Sequence, residues 1–336
     1  MSEKGEIVAA WSERTLIERI RLASQKKSDG LLKSIGDDCC EVALSGSFLI
    51  STDTLVDSVH FDNSFHPPHL LGRKSIAVNL SDIAAMGGRP RFVLLSLCLP
   101  ENIEWDWIST WLDGALEILQ EHDCVLIGGD TVKGRSLVLT VTVLGEPVAP
   151  GSVYRDGAKE GDSIWVSGPL GSAGGGLELL KYNKNHPDSL DLSSWEALLG
   201  AHLNPVPCIG IGMELARSGL ISAMQDISDG LATDLAHLCL ASEVSAVIHA
   251  SHLPFLPELS SAAAALNLNI EDLILRSGED YQLIFTVKSG KEEEFTRLMS
   301  EKGKDVYQIG EIRSGRGVIL QNDKGSDDIS FQGYEH

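Results

Sequence analysis

Five short acidic clusters, each beside glycine or a small hydroxyl residue, constrain the fold of this chain more than any other feature. They are Gly36-Asp37-Asp38, Ser51-Thr52-Asp53-Thr54, Asn79-Leu80-Ser81-Asp82, Gly128-Gly129-Asp130-Thr131 and Gln225-Asp226-Ile227-Ser228-Asp229-Gly230. Asp53, Asp130 and Asp226 each follow a segment with the apolar pattern of a strand, and helical patterns separate these strands. Because α/β sheets present ligand-binding loops at strand ends, the clusters predict an α/β fold with its polar residues gathered at one edge.

The chemistry of these clusters suits metal ions and phosphates. Carboxylates with nearby hydroxyl and backbone oxygens bind hard divalent cations, and glycine lets a backbone approach a phosphate closely. Taken singly, most of the clusters also fit ordinary helix caps and turns. Asp82 does not, because it lies inside a predicted helix over residues 73–86, on one stripe with Asn79 and Ser75. Several carboxylates at one edge would repel one another without cations, so the pattern indicates a Mg²⁺-dependent enzyme that acts on phosphates.

The charge of the chain limits its partners. With 48 Asp and Glu against 27 Lys and Arg the net charge is −21. This balance argues against nucleic acid or an anionic membrane as a partner, because phosphate backbones need a basic surface. The N-terminus lacks a signal-peptide pattern, and no apolar run approaches the roughly 18–20 residues of a membrane helix. We therefore expect a cytoplasmic protein without a membrane contact.

The length of 336 residues predicts two domains, since single hydrophobic cores stop growing near roughly 250–300 residues. Between residues 146 and 162 the periodicity fails, and proline and glycine accumulate. This change predicts one domain over residues 1–146 and a second over residues 147–336.

Several elements are expected to deliver polar loops. Three predicted strands end at acidic clusters, namely residues 48–51, 125–127 and 222–225. Residues 168–176 form a predicted glycine-rich loop that opens a helix at Leu177, where free backbone amides would favour a phosphate. A P-loop motif and the His-Arg-Asp set of protein kinases are both missing from the sequence, which disfavours those two architectures.

Five motifs occur in a fixed order along the chain. They are Ser51-Thr-Asp-Thr-Leu-Val56 with His60-Phe61, Ala77-Val-Asn-Leu-Ser-Asp-Ile-Ala-Ala-Met-Gly87, Leu126-Ile-Gly-Gly-Asp-Thr131, Asp226-Ile-Ser-Asp-Gly-Leu231 and Ser277-Gly-Glu-Asp-Tyr281. Together they resemble the thiamine-monophosphate kinase family, and the resemblance runs from about Gly36 to Tyr334. Single motifs recur in the related aminoimidazole ribonucleotide synthetase, selenophosphate synthetase and hydrogenase-maturation dehydratase. The first and last motifs in combination distinguish the kinase.

The resemblance implies direct transfer of the γ-phosphoryl group of ATP to thiamine monophosphate, giving thiamine diphosphate and ADP in the last step of thiamine diphosphate biosynthesis. It implies several Mg²⁺ ions as cofactors and ATP as co-substrate. It also implies the two-domain α/β (α+β) fold of aminoimidazole ribonucleotide synthetase. In that fold an N-terminal sheet domain forms a homodimer, and a C-terminal α/β domain completes the phosphate and substrate site.

The site residues of the family match positions of this chain one by one. By this resemblance, the Mg²⁺ ligands are Asp38, Ser51, Thr52, Asp53, Asp82, Asp130, Asp226 and Asp229. The expected ATP contacts are Gly129, Asp130, Arg155 and Ser228, and the expected catalytic carboxylates are Asp53, Asp82, Asp130 and Asp226. The expected substrate contacts are His60, Glu279 and Phe331. The family usually has Trp at the last of these positions.

General chemistry agrees with this assignment. The donor and the acceptor are both polyanions, so a chain short of Lys and Arg needs several metal ions to bring them in line. The acceptor phosphate is already largely ionised near neutral pH, so no strong general base is required. Two alternatives remain open. One is another enzyme of the same superfamily that makes an activated phosphate intermediate, and the other is a Mg-nucleotide-binding sensor without catalysis.

Overall fold

The structure, a computed structural model of the chain, describes residues 12–24, 27–35, 39–187 and 189–335. These residues form two compact units. Unit 1 contains the described residues up to Asn79 and those from Pro90 to Gly145, and unit 2 contains Leu80 to Arg89 and the described residues from Glu146 onward. The domain division at residues 146 and 147 stays a prediction.

Unit 1 is built on a four-stranded sheet. Apart from junction residues that belong to unit 2, its elements are α1 (Glu13–Ala23), β1 (Leu31–Lys33), β2 (Glu41–Val42), β3 (Leu49–Val56), α2 (Pro68–Ala85), β4 (Gly88–Pro100), α3 (Trp105–Glu121), β5 (Val125–Gly134) and β6 (Val138–Pro147). The strand order is β3-β6-β4-β5, with β3 antiparallel to β6 and β4 parallel to β5. β1 and β2 pair separately.

The two faces of this sheet differ in burial. Along β6, Leu139, Val141 and Val143 are buried, whereas the alternating Thr140 and Thr142 are half-buried. Successive side chains of a strand point to opposite faces. We call the face of Val141 the covered face and the face of Thr142 the outer face.

Unit 2 is built on a seven-stranded sheet with helices packed around it. Its elements are β7 (Ser163–Val166), α4 (Ser172–Asn185), α5 (Glu196–Leu203), α6 (Ile209–Ser218), β8 (Ile221–Asp226), α7 (Leu231–Ser242), β9 (Ser245–His249), α8 (Pro257–Leu266), α9 (Ile270–Arg276), β10 (Leu283–Val287), α10 (Glu292–Glu301), β11 (Tyr307–Arg313), β12 (Gly317–Asn322) and β13 (Gly325–Asp328). The order is β13-β12-β9-β11-β7-β10-β8, and neighbouring strands are antiparallel except for β9 and β12, which are parallel. Across the described residues of both units, none of the helices has the length and apolar content needed to cross a membrane.

Two strands are several residues longer than the sequence predicts, and a third, β8, is longer by one residue at each end. The strand expected at residues 48–51 extends from Leu49 to Val56, and the one expected at 125–127 extends from Val125 to Gly134. Asp53 and Asp130 therefore lie inside strands and not after them, which corrects the prediction. Pairing continues because the β-branched residues of β3 meet matching residues of β6, as where the hydroxyl oxygens of Thr54 and Thr140 lie 2.9 Å apart.

The glycine-rich stretch is also different from the prediction. The helix expected to open at Leu177 begins at Ser172, so three glycines lie inside α4. A side chain on Gly174 would lie 2.3 Å from the Cβ of Ser277, and one on Gly176 would lie 2.1 Å from the carbonyl oxygen of Leu198. These glycines permit close packing of α4, and that packing outweighs their poor helix propensity.

Candidate active site

The structure brings Asp82 and Asp226 together in unit 2. Asp226 is the last residue of β8 and is buried, and the Ser81 hydroxyl donates a hydrogen bond of 2.6 Å to its Oδ2. Burial raises the pKa of Asp226 to about 6, with the neighbouring charge of Asp82 as the next cause. The Ser81 hydrogen bond and the charge of Arg155 act in the opposite direction. Two carboxylates with mutually unfavourable charges therefore lie at this strand end.

This carboxylate pair fits Mg²⁺. The ion takes one or two carboxylates, keeps several waters and completes its shell with substrate phosphates. Within the described residues, no three His, Cys, Asp or Glu side chains form a preformed metal cage. Asp226 is buried, so its ionised form is costly without a nearby positive charge. A divalent cation bound to the pair would stabilise both carboxylates in the ionised form.

Asp234, which the sequence analysis missed, organises the 226–230 loop. Its Oδ2 accepts the backbone N–H groups of Ser228, Asp229 and Gly230 at 3.0, 2.9 and 3.1 Å. Its Oδ1 accepts the side-chain amide of Gln225 at 2.9 Å. Burial, followed by the charge of Asp226, raises the pKa of Asp234 to about 8. An acidic residue in the first turn of the helix after a Gly-containing loop is the signal that could have identified it.

The 277–281 loop packs directly on the 226–230 loop. The N–H of Glu279 donates to the carbonyl of Ser228 at 2.8 Å, and the N–H of Tyr281 donates to the carbonyl of Ile227 at 2.9 Å. A Cβ on Gly278 would lie 2.3 Å from the Ser228 carbonyl oxygen, so only glycine permits this approach. Glu279 and Tyr281 adopt φ angles of 68° and 49°, a region that non-glycine residues rarely occupy. The contacts bring the predicted ATP residue Ser228 next to the predicted substrate residue Glu279.

An internal carboxylate occupies the helix start that the sequence analysis assigned to phosphate. Asp280 accepts the N–H of Gly171 at 2.6 Å and the N–H of Ala173 at 3.1 Å. Burial raises the pKa of Asp280 to about 7 although these bonds lower it. The amides at the start of α4 are thus already used by the protein, and the phosphate-loop prediction for residues 168–176 is wrong.

The C-terminal tail places Phe331 beside the 226–230 loop. The N–H of Tyr334 donates to the carbonyl of Asp229, and the N–H of Gly333 donates to the Thr233 hydroxyl, both at 2.8 Å. The Phe331 ring is 53% exposed. Its edge contact with the ring of His237 spans 5.2 Å between centroids. The ring is therefore presented to solvent on a fixed tail.

In unit 1, Asp53 is held by α2. Its backbone N–H donates to the Asn79 side chain at 3.0 Å, and the Asn79 amide donates to the Ser75 carbonyl at 3.2 Å. Asn79 therefore positions β3. Asp53 and Ser51 lie on the covered face, whereas the Thr52 hydroxyl donates to the Val141 carbonyl and adjoins the Thr142 hydroxyl of the outer face. The side chain of Thr52 is not brought together with that of Asp53.

Unit 1 does not bring Asp130 to Asp53. Asp130 pairs in register with the exposed Ser96, on the outer face of β5. The strand order places β6 and β4 between β3 and β5, which separates the outer strand axes by about 14 Å at the usual strand spacing. One ion cannot bridge the two carboxylates within this unit.

Of the remaining predicted site residues, three lie within the described part of the chain and one lies outside it. The Nδ1 atom of His60 accepts the N–H of Val56 at 3.0 Å. Gly129 has a φ of 151°, and a Cβ there would lie 1.8 Å from the Leu95 carbonyl oxygen. Arg155 is exposed, and its carbonyl accepts the Ser242 hydroxyl at 2.8 Å. Asp38 lies outside the described residues.

Comparisons with known proteins bear on the fold and the family of the chain. Residues 36–146 match the N-terminal domain and residues 159–322 the C-terminal domain of AIR synthase related proteins. The thiamine-monophosphate kinase of Haemophilus influenzae is 35% identical over 97% of this chain and 98% of its own length. The mixed helix-and-sheet fold with an N-terminal and a C-terminal domain of this type is confirmed.

Two solved structures extend the comparison. The crystal structure of thiamine-monophosphate kinase from Stenotrophomonas maltophilia K279a has a TM-score of 0.81 and 36% identity, and the match covers 93% of this chain and 98% of that one. A structure described as AaThiL complexed with AMPPCP and TMP has a TM-score of 0.73 and 32% identity, covering 94% of this chain and 96% of that one.

Proposed function

Because the chain belongs to the thiamine-monophosphate kinase family, we propose that it phosphorylates thiamine monophosphate with ATP by direct in-line transfer assisted by several Mg²⁺ ions. The bond from the terminal phosphorus of ATP to its bridging oxygen breaks, and a bond from that phosphorus to a phosphate oxygen of thiamine monophosphate forms. ADP leaves with the bridging oxygen, and the other product is thiamine diphosphate. The reaction is the last step of thiamine diphosphate biosynthesis, and we propose that it takes place in the cytoplasm.

The observation that carries this proposal is the Asp82–Asp226 pair beside the 226–230 loop. Bound Mg²⁺ would neutralise phosphate oxygens and hold the donor and acceptor in line. Asp53, Asp130 and Asp229 are proposed as further ligands, with Asp38, Ser51 and Thr52. Ser81 orients Asp226, and Asp234 holds the amides that precede α7 in a fixed direction. Catalysis then rests on positioning and charge compensation and needs no strong general base.

Substrate residues are proposed on the same basis. Gly129, Asp130, Arg155 and Ser228 contact ATP, and His60, Glu279 and Phe331 contact thiamine monophosphate. Ser228 and Glu279 are supported by the backbone bond that joins them, and Phe331 is supported by the exposure of its ring. A carboxylate and an aromatic face both suit a cationic heterocycle.

We further propose that the protein is a homodimer that packs through the sheet of unit 1. The outer face of this sheet carries apolar side chains that no described element covers fully, among them Ile50 at 68% and Val132 at 50% exposure. Apolar strand faces of this kind favour association with a second copy.

The assignment is tested by incubating the purified protein with ATP, thiamine monophosphate and Mg²⁺ and following the products by ³¹P NMR. Thiamine diphosphate should form in equal amount with ADP, and chelation of Mg²⁺ should stop the reaction. Inversion of configuration at a chiral γ-phosphorus would support direct transfer, and retention would contradict it. Turnover only with another acceptor would favour a different member of the superfamily, whereas nucleotide binding without turnover of any acceptor would favour a sensor.

A further inference from the structure

A buried histidine faces the predicted substrate carboxylate of unit 2. His202 lies in α5, and its side chain is 2% exposed. Its Nδ1 atom lies 3.2 Å from Oε2 of Glu279, whose side chain is 24% exposed. One residue of this pair is thus enclosed by the protein, and the other reaches the surface of the site. The sequence motifs did not single out His202.

The fold fixes both members of the pair. Gly176 of α4 allows α5 to approach, because a Cβ there would lie 2.1 Å from the carbonyl oxygen of Leu198 and 3.2 Å from the Cβ of His202. On the other side, the backbone of Glu279 is held by its bond to Ser228 and has a left-handed φ of 68°. The imidazole and the carboxylate therefore meet because two separate packing contacts hold their backbones.

The charges around Glu279 favour such a partner. The next residue, Asp280, is half-buried, and its pKa is raised chiefly by desolvation and in addition by the charge of Glu279. Two adjacent acidic side chains repel each other. The imidazole of His202 lies beside the Glu279 carboxylate and can offset this repulsion. The contact lies at ion-pair distance but does not have hydrogen-bond geometry, so the ring acts through the positive partial charge of an Nδ1–H, whether it is neutral or cationic.

We infer that His202 is a positioning residue that holds the Glu279 carboxylate toward the cationic heterocycle of the substrate. The inference rests on the proposed function, and it assigns His202 no contact with the reacting phosphates. It concerns recognition of a ligand that carries a positive ring or an amino group. Loss of His202 should therefore weaken binding of thiamine monophosphate and leave ATP binding and the chemical step nearly unchanged.

The test is a double-mutant cycle with His202→Leu and Glu279→Gln, measured as kcat and as KM for each substrate. His202→Leu should raise the KM for thiamine monophosphate about tenfold, a change equivalent to roughly 1.4 kcal/mol. The KM for ATP and kcat should stay within about twofold. In the Glu279→Gln background the same change should have almost no further effect, because the residue through which His202 acts is gone. His202→Asn, which retains an N–H donor near the Nδ1 position, should restore part of the affinity.

Control measurements separate this inference from damage to the fold. His66, a second buried histidine, lies in unit 1, and His66→Leu serves as the matched control, with its KM for thiamine monophosphate expected to stay unchanged. An active wild type in which His202→Leu leaves this KM unchanged, or in which the two substitutions act additively, would overturn the inference alone. A wild type that binds and phosphorylates no thiamine monophosphate would overturn the proposed function and the inference together.

Discussion

The environment of the Asp226 side chain is formed by residues that are distant in the sequence. Ser81 and Asp82 come from the end of α2, about 145 residues earlier in the chain, and Arg155 precedes β7. Burial and the charge of Asp82 disfavour ionisation of Asp226. A bound cation would stabilise the ionised carboxylates of this site. Substitution of its polar residues should therefore lower kcat more than it lowers the melting temperature.

Removal of single carboxylates tests the metal assignment. Asp53→Asn, Asp82→Asn and Asp130→Asn should each lower kcat by at least about 10²-fold, the scale expected when one element of transition-state charge stabilisation is lost. Their melting temperatures should stay close to that of the wild type. Asp327→Asn, on the exposed strand β13, is the control that should keep full activity. Full activity of the three variants at saturating Mg²⁺ would show that these carboxylates are structural.

Phe331 tests the position at which the resemblance leads us to expect Trp. Stacking on a cationic heterocycle contributes roughly 0.5–2 kcal/mol, so Phe331→Ala should raise the KM for thiamine monophosphate several-fold to tens-fold. The KM for ATP and the melting temperature should change little, and Phe331→Trp should restore or tighten binding. Phe255→Ala, at a residue that is 41% exposed, provides a control aromatic in unit 2. A lower melting temperature with an unchanged KM would show that the ring only packs on His237.

At the scale of elements, the Asp280 carboxylate binds the backbone N–H groups at the start of α4 that the sequence had suggested for a phosphate. Asp280 accepts two backbone N–H groups there, and it joins α4 to the loop that presents Glu279. A buried donor left without a partner costs about 1–3 kcal/mol, which explains why the loop and the helix stay attached. The start of α4 therefore anchors the 277–281 loop.

This attachment predicts a pH dependence of stability. The pKa of Asp280 is about 7 in the folded chain, against about 4 for an unfolded Asp. The folded state thus binds the proton more tightly, so this contribution to stability is fully present below about pH 4 and is lost as pH rises toward about 7. The melting temperature of the wild type should fall further between pH 5 and pH 8 than that of Asp280→Asn, by roughly 2–4 °C for each 1 kcal/mol.

Calorimetry of both proteins without divalent ions measures this difference. The other titratable groups are common to the two proteins, so their contributions cancel in the comparison. An equal or larger fall in melting temperature for Asp280→Asn would contradict the assigned ionisation of Asp280.

At the scale of the whole molecule, the outer face of unit 1 predicts the assembly. Light scattering at micromolar concentration should give twice the mass of one chain. Ile50→Glu should shift the protein toward monomer, because a charge on the outer face is costly to bury against a second copy. Val206→Glu, at a 70% exposed site of unit 2, should leave the mass unchanged. A monomeric wild type would contradict the proposed homodimer.

The sequence by itself determined the mixed α/β class and the family. Apolar periodicity and Gly or Pro punctuation are local properties, so the end of the helix predicted over residues 73–86 lies within one residue of the end of α2 at Ala85. The order of the motifs identified the family, because each motif combines special residue types at fixed spacing. Strand lengths were predicted less well, since cross-strand partners extended β3 and β5 beyond their local signals.

Only the tertiary structure decided which polar groups meet. It joined Asp82 to Asp226, kept Asp53 apart from Asp130 within unit 1, and used Asp280 to fill the predicted phosphate site. It also placed His202 against Glu279, two residues that no local pattern connects. The physical reason is that such contacts depend on strand order and on close packing at glycines between segments far apart in the chain, whereas sequence patterns report only on neighbours within one element.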